Sequence, residues 1–283
     1  MTLDRRTPHF CRRLAAACAA FLGAALFGFA AAAPALASCA GMAEAPRLTH
    51  PYFMRAAAPA AAPRVPDGQL RIRFVGHATF EIESPQGAMV QTDFNDWVRS
   101  HRLPDIVTMN RTHDSHFSYG PPEGIPHVLR GWDPDGGIAR HNVLFKDVRV
   151  RNVPTNLAPV GGGKFANGNS MFVIEAVGLC VVHISHLHHY LSPEQLRELG
   201  IIDVAFAPID GMWTMSHDEL FRVLGDIRAR LVIPMHYGSQ QGVQQFIARA
   251  EKNWTVRRAD SDTMFVSLAT MPQKPEVVFL QGH

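Results

Sequence analysis

The sequence has little net charge of either sign. Its 27 lysine and arginine residues are balanced by 25 aspartate and glutamate residues, which leaves a formal charge of +2. Nonspecific binding to nucleic acid depends on excess positive charge, and no basic stripe follows the N-terminal segment. A nucleic-acid partner is therefore not expected. The 283 residues are 47% hydrophobic, which is enough to build one sizeable core.

Cysteine is also scarce, with four residues in the whole chain. Cys11 and Cys18 lie in the N-terminal segment, and Cys39 lies at its end. Cys180 is then left alone between apolar neighbours. We expect it to be a buried thiol, and we expect no internal disulfide even in an oxidising compartment.

Long apolar runs are absent except near the N-terminus. Residues 14–37 consist almost entirely of Ala, Leu, Phe and Gly, and they carry no charge. Four arginines precede this run: Arg5, Arg6, Arg12 and Arg13. A positive segment followed by an apolar one is typical of an export signal. The run is also long enough to span a bilayer as a helix of about 20 residues, so an uncleaved anchor is an alternative.

The end of the apolar run favours cleavage. Leu36-Ala37-Ser38-Cys39 resembles the lipobox of bacterial lipoproteins, in which the cysteine becomes the lipidated first residue. We therefore predict a lipoprotein-type signal peptide over residues 1–39, with ordinary cleavage nearby as an alternative. Residues 40–68 are rich in Ala and Pro and predict a flexible tether. The folded domain should occupy residues 69–283, on the periplasmic side of a bacterial membrane, either anchored through Cys39 or secreted to the periplasm.

Hydrophobic periodicity predicts an α/β fold. Short strands dominate the first part of the domain, beginning with a meander near Leu70, and strands alternate with helices after it. Residues 117–142 contain many Gly and Pro residues and should form an irregular loop over one face. In layered α/β folds, polar residues just beyond strand ends line the functional site. Three predicted buried strands, Ile106–Met109, Leu179–Ile184 and Leu231–Pro234, are each followed by histidine.

Histidines in this chain are clustered. His113, Asp114 and His116 follow the first of those strands, four histidines lie within residues 183–189, and His236 directly follows the third strand. Imidazole and carboxylate groups are the ligands that Zn, Fe and Mn accept. A polar loop with surface histidines is the alternative for the first group.

The second group is divided by the end of its strand. We expect the strand to end between His183 and His186, so that His186 turns inward. His188 and His189 can instead lie at the surface beside the next helix. That helix should begin at Ser192, because Ser192-Pro193-Glu194 combines a serine N-cap with proline in the first turn.

Six segments carry a resemblance to a known family: VGHATFEIES, QTDFND, DIVTMNRTHDSHF, NGNSMFVIE, HISHLHHYLSPEQLRELGIIDVAFAPIDGMWTMSHDE and LVIPMHYGS. They resemble, in order and over about residues 70–240, the branch of the metallo-β-lactamase superfamily that contains ascorbate-6-phosphate lactonase and N-acylphosphatidylethanolamine phospholipase D. The resemblance implies a four-layer αβ/βα sandwich with metals at one edge of two sheets. It also implies metal-dependent hydrolysis, usually with two ions and a bridging hydroxide.

The sequence departs from that family at ligand positions. The family motif is His-x-His-x-Asp-His, and Arg111, His113, Ser115 and His116 match it here. A further family histidine is matched by Asn156 or Leu157, and the usual bridging aspartate by Ser185-His186. The remaining set of His113, His116, His186 and His236 suffices for one ion, which we predict to be Zn, with Mn or Fe as alternatives. The loss of carboxylate ligands argues against a second ion.

Other residues receive roles near this set. Arg111 is predicted to clamp an anionic substrate group or to replace the charge of an ion, and a salt bridge that fills the pocket is the alternative. Asp114 is predicted to act as a general base or substitute ligand, although it can simply face solvent. His77 and Asp93 match family positions beside the site and should orient the ligands. Asp210 stands where the family usually has glycine, and its role is open.

These features favour an exported hydrolase that attacks an ester, lactone or phosphodiester with a metal-activated hydroxide. Its partner would be a small-molecule substrate. A degenerate family member that binds metal or ligand without turnover is the alternative, because several family ligands are replaced. A third hypothesis is a metal-delivery lipoprotein that uses the histidines of residues 183–189.

Overall fold

The structure, a computed structural model, describes residues 64–98, 100, 102–158 and 165–282. The predicted signal peptide, the lipid-anchor residue Cys39 and most of the tether lie outside these ranges. Within them, none of the helices combines the length and apolar character needed to cross a membrane. The first strand begins at Leu70, next to the predicted start of the domain at residue 69.

Fourteen strands and three α-helices make up the described part of the chain. The strands, numbered in chain order, are β1 (Leu70–Gly76), β2 (Thr79–Glu83), β3 (Met89–Gln91), β4 (Ile106–Met109), β5 (His127–Arg130), β6 (Asn142–Phe145), β7 (Val148–Leu157), β8 (Phe165–Ala176), β9 (Leu179–His183), β10 (Val204–Pro208), β11 (Leu231–Met235), β12 (Thr255–Arg258), β13 (Thr263–Val266) and β14 (Glu276–Phe279). The helices are α1 (Pro193–Leu199), α2 (His217–Ile227) and α3 (Gln240–Ala250).

The strands form two mixed sheets. A six-stranded sheet has the order β13-β1-β2-β3-β4-β5, and an eight-stranded sheet has the order β12-β14-β11-β10-β9-β8-β7-β6. The predicted meander is confirmed, since β1, β2 and β3 pair in sequence as antiparallel neighbours. Strands β9, β10 and β11 are parallel, so their C-terminal ends meet at one edge of the larger sheet.

The main core lies between the two sheets. Its members come from both sheets, including Ile72 and Ile82 on one side and Ile174 and Ile233 on the other, and all four are fully buried. A second apolar cluster lies on the other face of the larger sheet, where all three helices pack. This layering of sheets and helices confirms the α/β fold class.

Local sequence signals explain where the helices begin. The Ser192 hydroxyl accepts a hydrogen bond from the backbone N–H of Gln195, and the Gln195 side chain returns a bond to the backbone of Ser192. Ser216 and Glu219 form the same reciprocal capping box at the start of α2. The predicted start of α1 after Ser192 is confirmed.

The outer face of the six-stranded sheet differs from that of the larger sheet, on which the helices pack. Among the described residues no α-helix packs on it. Strands β1 and β2 instead present cross-strand ion pairs, with Arg73 bonded to both carboxylate oxygens of Glu81 at 2.7 and 2.8 Å. Near β4, loop residues and strand residues form a small apolar cluster that contains Phe94 and Met109.

Two sequence-based expectations were wrong, and one strand was missed. The segment 117–142 is not wholly irregular, because it contains β5, which pairs in parallel with β4. Strand β12 was not predicted, although it pairs in parallel with β14. Cys180 is disulfide-bonded, contrary to the expected lone thiol, and its partner lies outside the described residues.

One aromatic pair joins the two sheets directly. Phe80 on β2 and Phe206 on β10 are stacked, with ring centroids 3.9 Å apart, and both are fully buried. We expect Phe206→Ala to lower the free energy of unfolding by about 3–5 kcal/mol, because it leaves a cavity where the sheets meet. Urea denaturation would measure the change. Phe265→Ala, at a position 47% exposed, is the control and should cost less than about 1 kcal/mol. Equal losses would contradict the assignment of the pair to the core.

Candidate metal centre

Four imidazoles meet at the edge where strands end. His113 and His116 lie in and beside the short 3-10 turn after β4, His186 follows β9, and His236 follows β11. One nitrogen of each ring lies within 4.8 Å of the chosen nitrogen of every other ring. The structure therefore brings together the four residues that the sequence predicts as metal ligands.

Unusual backbone conformations deliver these side chains. Four residues at the site that are not glycine have positive φ: His77 (52°), Asp93 (41°), Ser185 (56°) and His236 (53°). Such conformations are uncommon for residues with a Cβ, and they persist where the surrounding structure compensates their cost. Each bend occurs one or two residues after the end of a strand, where the chain turns towards the common edge.

Two of the imidazoles are held from behind by buried carboxylates. The Nδ1 atom of His116 lies 2.5 Å from Oδ2 of Asp93, and the Nδ1 atom of His236 lies 3.2 Å from Oδ2 of Asp210. The Nε2 atoms of both histidines are buried, and neither has a hydrogen-bond partner in the described structure. A carboxylate on one ring nitrogen fixes the tautomer and leaves the other nitrogen free to bind an ion.

The other two imidazoles use neutral partners. Nδ1 of His186 lies 2.7 Å from Nε2 of His188, and Nδ1 of His113 lies 2.6 Å from the Ser115 hydroxyl. Their Nε2 atoms lie 3.3 Å apart, so they face each other across the centre. All four rings thus have Nδ1 engaged and Nε2 directed inward. Buried nitrogens without partners are costly unless something binds them, and this donor set fits a metal ion.

Burial favours the neutral form of three of the four imidazoles. Burial, followed by repulsion among neighbouring imidazoles, lowers the pKa of His116 and His186 far below the usual value for histidine. Burial also lowers the pKa of His113. Neutral imidazole is the form that binds metal, so these three ligands need no deprotonation near neutral pH.

Asp93 occupies a closed environment behind His116. It is fully buried, and Oδ1 accepts a hydrogen bond from the Asn110 amide at 3.2 Å. The Ser185 hydroxyl lies 3.4 Å from Oδ2. Burial raises the pKa of this carboxyl group. His183 and the hydrogen bonds favour the charged form and lower the pKa, but burial is the larger effect. The position fits the predicted orienting role of Asp93.

Asp210 is the residue whose role the sequence left open. Burial opposes its ionisation, yet hydrogen bonds from His236, from Thr214 and from the backbone of Met212 outweigh burial and lower its pKa. A signal for this contact was available. Asp210 follows β10 as His236 follows β11, and these parallel strands are neighbours with Pro208 opposite Met235.

His77 lies against the cluster without belonging to it. Its ring centroid is 4.2 Å from that of His236, and its carbonyl accepts a hydrogen bond from the backbone N–H of His236 at 2.8 Å. Its Nε2 atom is buried and has no partner among the described residues. Burial and the adjacent imidazoles lower the pKa of His77 to about 3. These contacts fit its predicted support of the site.

The two predicted catalytic side chains lie at the surface. Arg111 and Asp114 are both exposed. Asp114 lies near His113, and its negative charge raises the pKa of His113, in opposition to the effect of burial. No described carboxylate forms an ion pair with Arg111, which argues against a salt bridge that fills the pocket.

The remaining histidines of the second group have structural partners. His183 is buried, and its Nε2 atom lies 2.8 Å from the carbonyl of Ala78. His189 accepts a hydrogen bond from the backbone N–H of Asn156 at 3.0 Å. Neither belongs to the four-imidazole group. Because one nitrogen of each ring is engaged by the backbone, these two histidines do not support the hypothesis of metal delivery by residues 183–189.

A pocket opens beside the cluster. It has a volume of about 250 Å³ and is lined by His77, His113, Trp213, His236, Tyr237 and Gly238. Trp213 is 54% exposed, so the pocket has an accessible aromatic wall next to two of the candidate ligands. A small molecule can therefore approach the cluster from solvent.

Comparison with known proteins identifies the family. The model of the beta-lactamase superfamily domain matches residues 71–236, which is more than half of the chain. The chain belongs to the metallo-β-lactamase superfamily. The matched range runs from β1 to His236 and so contains all four clustered histidines.

Relatives of this superfamily member include metal-dependent hydrolases of archaea. One from Thermococcus onnurineus is 25% identical over 193 residues, covering 60% of this chain and 85% of the relative. Another from Methanoculleus marisnigri is 24% identical over 211 residues, covering 67% and 92%. A solved Thermotoga maritima structure, described as a Zn-dependent hydrolase of the metallo-β-lactamase superfamily, has 25% identity and a TM-score of 0.56, covering 76% of this chain and all of that one.

The metal-free form of this superfamily member should be sensitive to acid. The pKa of His77 is 6.5 in an unperturbed chain and about 3 in the fold, so the unfolded state binds more protons between these values. We expect the free energy of unfolding to fall as pH drops from about 6.5 towards 3. Urea titrations at several pH values with a chelator present would measure this trend. His77→Asn, which tolerates positive φ, should reduce the slope without abolishing it, because His113, His116 and His186 also have lowered pKa values. An identical slope in both proteins would contradict the contribution of His77.

Proposed function

We propose that the protein is an exported metal-dependent hydrolase that acts on an ester, lactone or phosphodiester. One ion would be held by His113, His116, His186 and His236. The observation that carries the proposal is the convergence of four imidazoles whose Nε2 atoms face one centre. The archaeal relatives and the Thermotoga maritima structure, which are described as metal-dependent hydrolases, support it.

The donor set favours a single ion. The group contains nitrogen ligands only, and no described carboxylate joins it. The buried carboxylates Asp93 and Asp210 use oxygen atoms to hold His116 and His236 from behind, and the exposed Asp114 does not join the group. Ser115, at the position where the family motif has aspartate, bonds to Nδ1 of His113. The oxygen ligands that a second ion would need are therefore absent or engaged.

Zinc is the ion that this set suits best, with manganese or iron as alternatives. Imidazole nitrogen is a good ligand for zinc and iron, whereas manganese prefers oxygen donors. When bound, such an ion acts as a Lewis acid and lowers the pKa of water at the site to about 7, which provides a nucleophile at neutral pH.

The side chains around the ion divide the remaining tasks. His116 and His236 are buried and fixed by carboxylates, so they would serve as rigid ligands. His113 lies at the pocket mouth, where substrate enters beside Trp213. Asp114 is exposed next to His113 and would exchange protons with solvent. Arg111 carries an exposed guanidinium that no described carboxylate neutralises, so it would attract an anionic substrate group.

Metal analysis tests the proposal directly. The purified protein, stripped with a chelator and reloaded, should bind close to one equivalent of zinc. Zero equivalents with zinc, manganese and iron would end the proposal, and two would end its single-ion form. The loaded protein should hydrolyse at least one member of a panel of aryl esters, lactones and phosphodiesters, and hydrolysis should stop when the metal is removed.

A binding protein without turnover is the second candidate. The exposure of both proposed catalytic side chains, Arg111 and Asp114, favours it, because neither is fixed against the cluster. Stoichiometric metal binding with no hydrolysis across the panel would support this candidate over the hydrolase.

Export and lipidation form a separate part of the proposal. The lipobox-like sequence ending at Cys39 supports a lipid anchor on the periplasmic side of a membrane. Mass spectrometry of the mature protein from membranes should find a diacylglyceryl group on Cys39, and Cys39→Ala should release the protein to the soluble fraction. A Cys39 recovered in a disulfide, without lipid, would contradict the anchor.

A further inference from the structure

The loop from Asp210 to Thr214, which we call the 210–214 loop, is organised around one carboxylate. Oδ1 of Asp210 accepts hydrogen bonds from the backbone N–H groups of Met212 at 2.9 Å, of Thr214 at 3.0 Å and of Trp213. Oδ2 accepts a bond from the Thr214 hydroxyl at 2.6 Å. The side chain that begins the loop therefore also fixes its shape.

Close packing fixes the position of the loop. Gly211 has φ of 74°, and a Cβ there would lie 2.8 Å from Nε2 of His217, which is bonded to the carbonyl of Ile209. A Cβ at Gly238 would lie 3.1 Å from the carbonyl oxygen of Asp210. A side chain at Gly211 would be strained by the positive φ, and one at Gly238 would press on the backbone of the loop, which lies against the segment that carries His236.

The first connection from the loop to the cluster goes through Asp210 itself. Its Oδ2 atom lies 3.2 Å from Nδ1 of His236. A carboxylate can only accept at this contact, so the proton of the neutral imidazole is on Nδ1. The lone pair of His236 is then on Nε2, the buried atom that lacks a partner.

The second connection goes through His188 and Thr214. His188 forms a hydrogen bond with the backbone of Thr214, and its Nε2 atom lies 2.7 Å from Nδ1 of His186. A carbonyl can only accept, so His188 donates to Thr214 and accepts from His186 at Nε2. His186 then carries its proton on Nδ1 and directs the lone pair of Nε2 towards the centre.

We propose that the 210–214 loop is a positioning element that sets the tautomers of His186 and His236 together, so that both present an unprotonated Nε2 to the ion. The inference rests on the metal site of the proposed function. It adds a role for Asp210 and His188, neither of which touches the ion. Two ligands from different strands are thereby oriented by one short segment.

Asp210→Asn is the decisive variant. The amide keeps the size of the side chain, and its oxygen can still accept the bonds from the backbone of Met212, Trp213 and Thr214. Its NH₂ group then faces His236 and can only donate. His236 must accept at Nδ1 and carry its proton on Nε2, the atom that should bind the ion.

We expect Asp210→Asn to weaken zinc affinity by about 10–100-fold with little change in the urea midpoint. Competition with a chromophoric chelator would measure the affinity. Nitrogen-15 NMR of the histidines in the metal-free protein should find His236 protonated at Nδ1 in the wild type and at Nε2 in the variant. Asp226→Asn, an exposed carboxylate on α2, is the matched control and should change neither quantity.

His188 tests the second connection. His188→Ala removes the acceptor for Nδ1 of His186 and should weaken zinc affinity by about tenfold. His188→Asn offers an amide oxygen to the same nitrogen and should recover part of the loss. If Asp210→Asn weakens zinc affinity and His188→Ala does not, the 210–214 loop does not orient both ligands, and the inference is overturned.

The NMR measurement separates this inference from the proposed function. If the wild type binds no metal, the proposed function fails, while the tautomers of the metal-free protein still report on the loop. An unchanged His236 tautomer in Asp210→Asn would overturn the inference even if the wild type binds zinc.

Discussion

His116→Ala is expected to weaken zinc binding by about 10²–10³-fold. Structural zinc sites contribute about 10–16 kcal/mol over four ligands, so one ligand accounts for about 2.5–4 kcal/mol, and each 1.4 kcal/mol is about a tenfold change in affinity. His116 should lie at the upper end because it is fully buried, its Nε2 atom has no other described partner, and Asp93 already fixes its orientation. Chelator competition at neutral pH would measure the loss.

The control for this variant is His141→Ala. His141 lies outside the cluster, with its Nε2 atom 2.7 Å from the carbonyl of Arg130. We expect some loss of stability and unchanged zinc affinity. Zinc affinity within about threefold of the wild type in His116→Ala would remove His116 from the ligand set, and the single-ion centre would have to be assigned elsewhere.

The second large effect is expected from Asp93→Asn, which should weaken zinc affinity by about 10–100-fold while leaving the metal-free protein at least as stable as the wild type. The carboxylate is buried, so its charge is costly when no ion is bound. An asparagine of the same shape avoids that cost. It also offers His116 a weaker or wrongly directed partner, which impairs the ligand.

Asp203→Asn provides the matched comparison. Asp203 is also buried, but it accepts the backbone N–H of Cys180 at 3.0 Å and pairs with Arg230 at 2.6 Å, away from the cluster. We expect this variant to lose stability and keep its zinc affinity, the opposite of Asp93→Asn. Parallel losses of stability and affinity in both variants would mean that Asp93 acts only through the fold. Urea denaturation with and without zinc gives both quantities.

Much of the fold could be predicted because its strands are continuous apolar segments. Strands β4, β9 and β11 are buried along their whole length, so their sequences carry a strong signal. Strand β5 was missed since its residues are mostly half-buried, it has four residues, and it is held by pairing with β4. Strand β12 is largely exposed and depends in the same way on β14. Such strands are defined by a partner that is distant in sequence.

The site shows the same difference between features with a local sequence signal and features that depend on a distant partner. The four histidines were predictable because each follows a buried strand. The parallel strands β9, β10 and β11 bring the ends that precede His186 and His236 to one edge, while His113 and His116 come from the loop after β4 in the other sheet. The role of Asp210 was left open, although its position after β10 beside the strand that precedes His236 was a usable signal. The role of His188 was not predictable, because it depends on tertiary contacts with Thr214 and His186. Arg111 and Asp114 were correctly located in the loop after β4, but sequence alone could not indicate that both side chains are exposed.

The all-imidazole donor set has a practical consequence for the ion that is found. Imidazole sites bind divalent metals in the order Mn²⁺ < Fe²⁺ < Co²⁺ < Ni²⁺ < Cu²⁺ > Zn²⁺, and there is no carboxylate or thiolate in the set to alter this preference. Nickel or copper encountered during purification would displace the native ion. Protein prepared without nickel resin, from cells of the source organism, would therefore reveal the physiological metal more faithfully than overproduced protein.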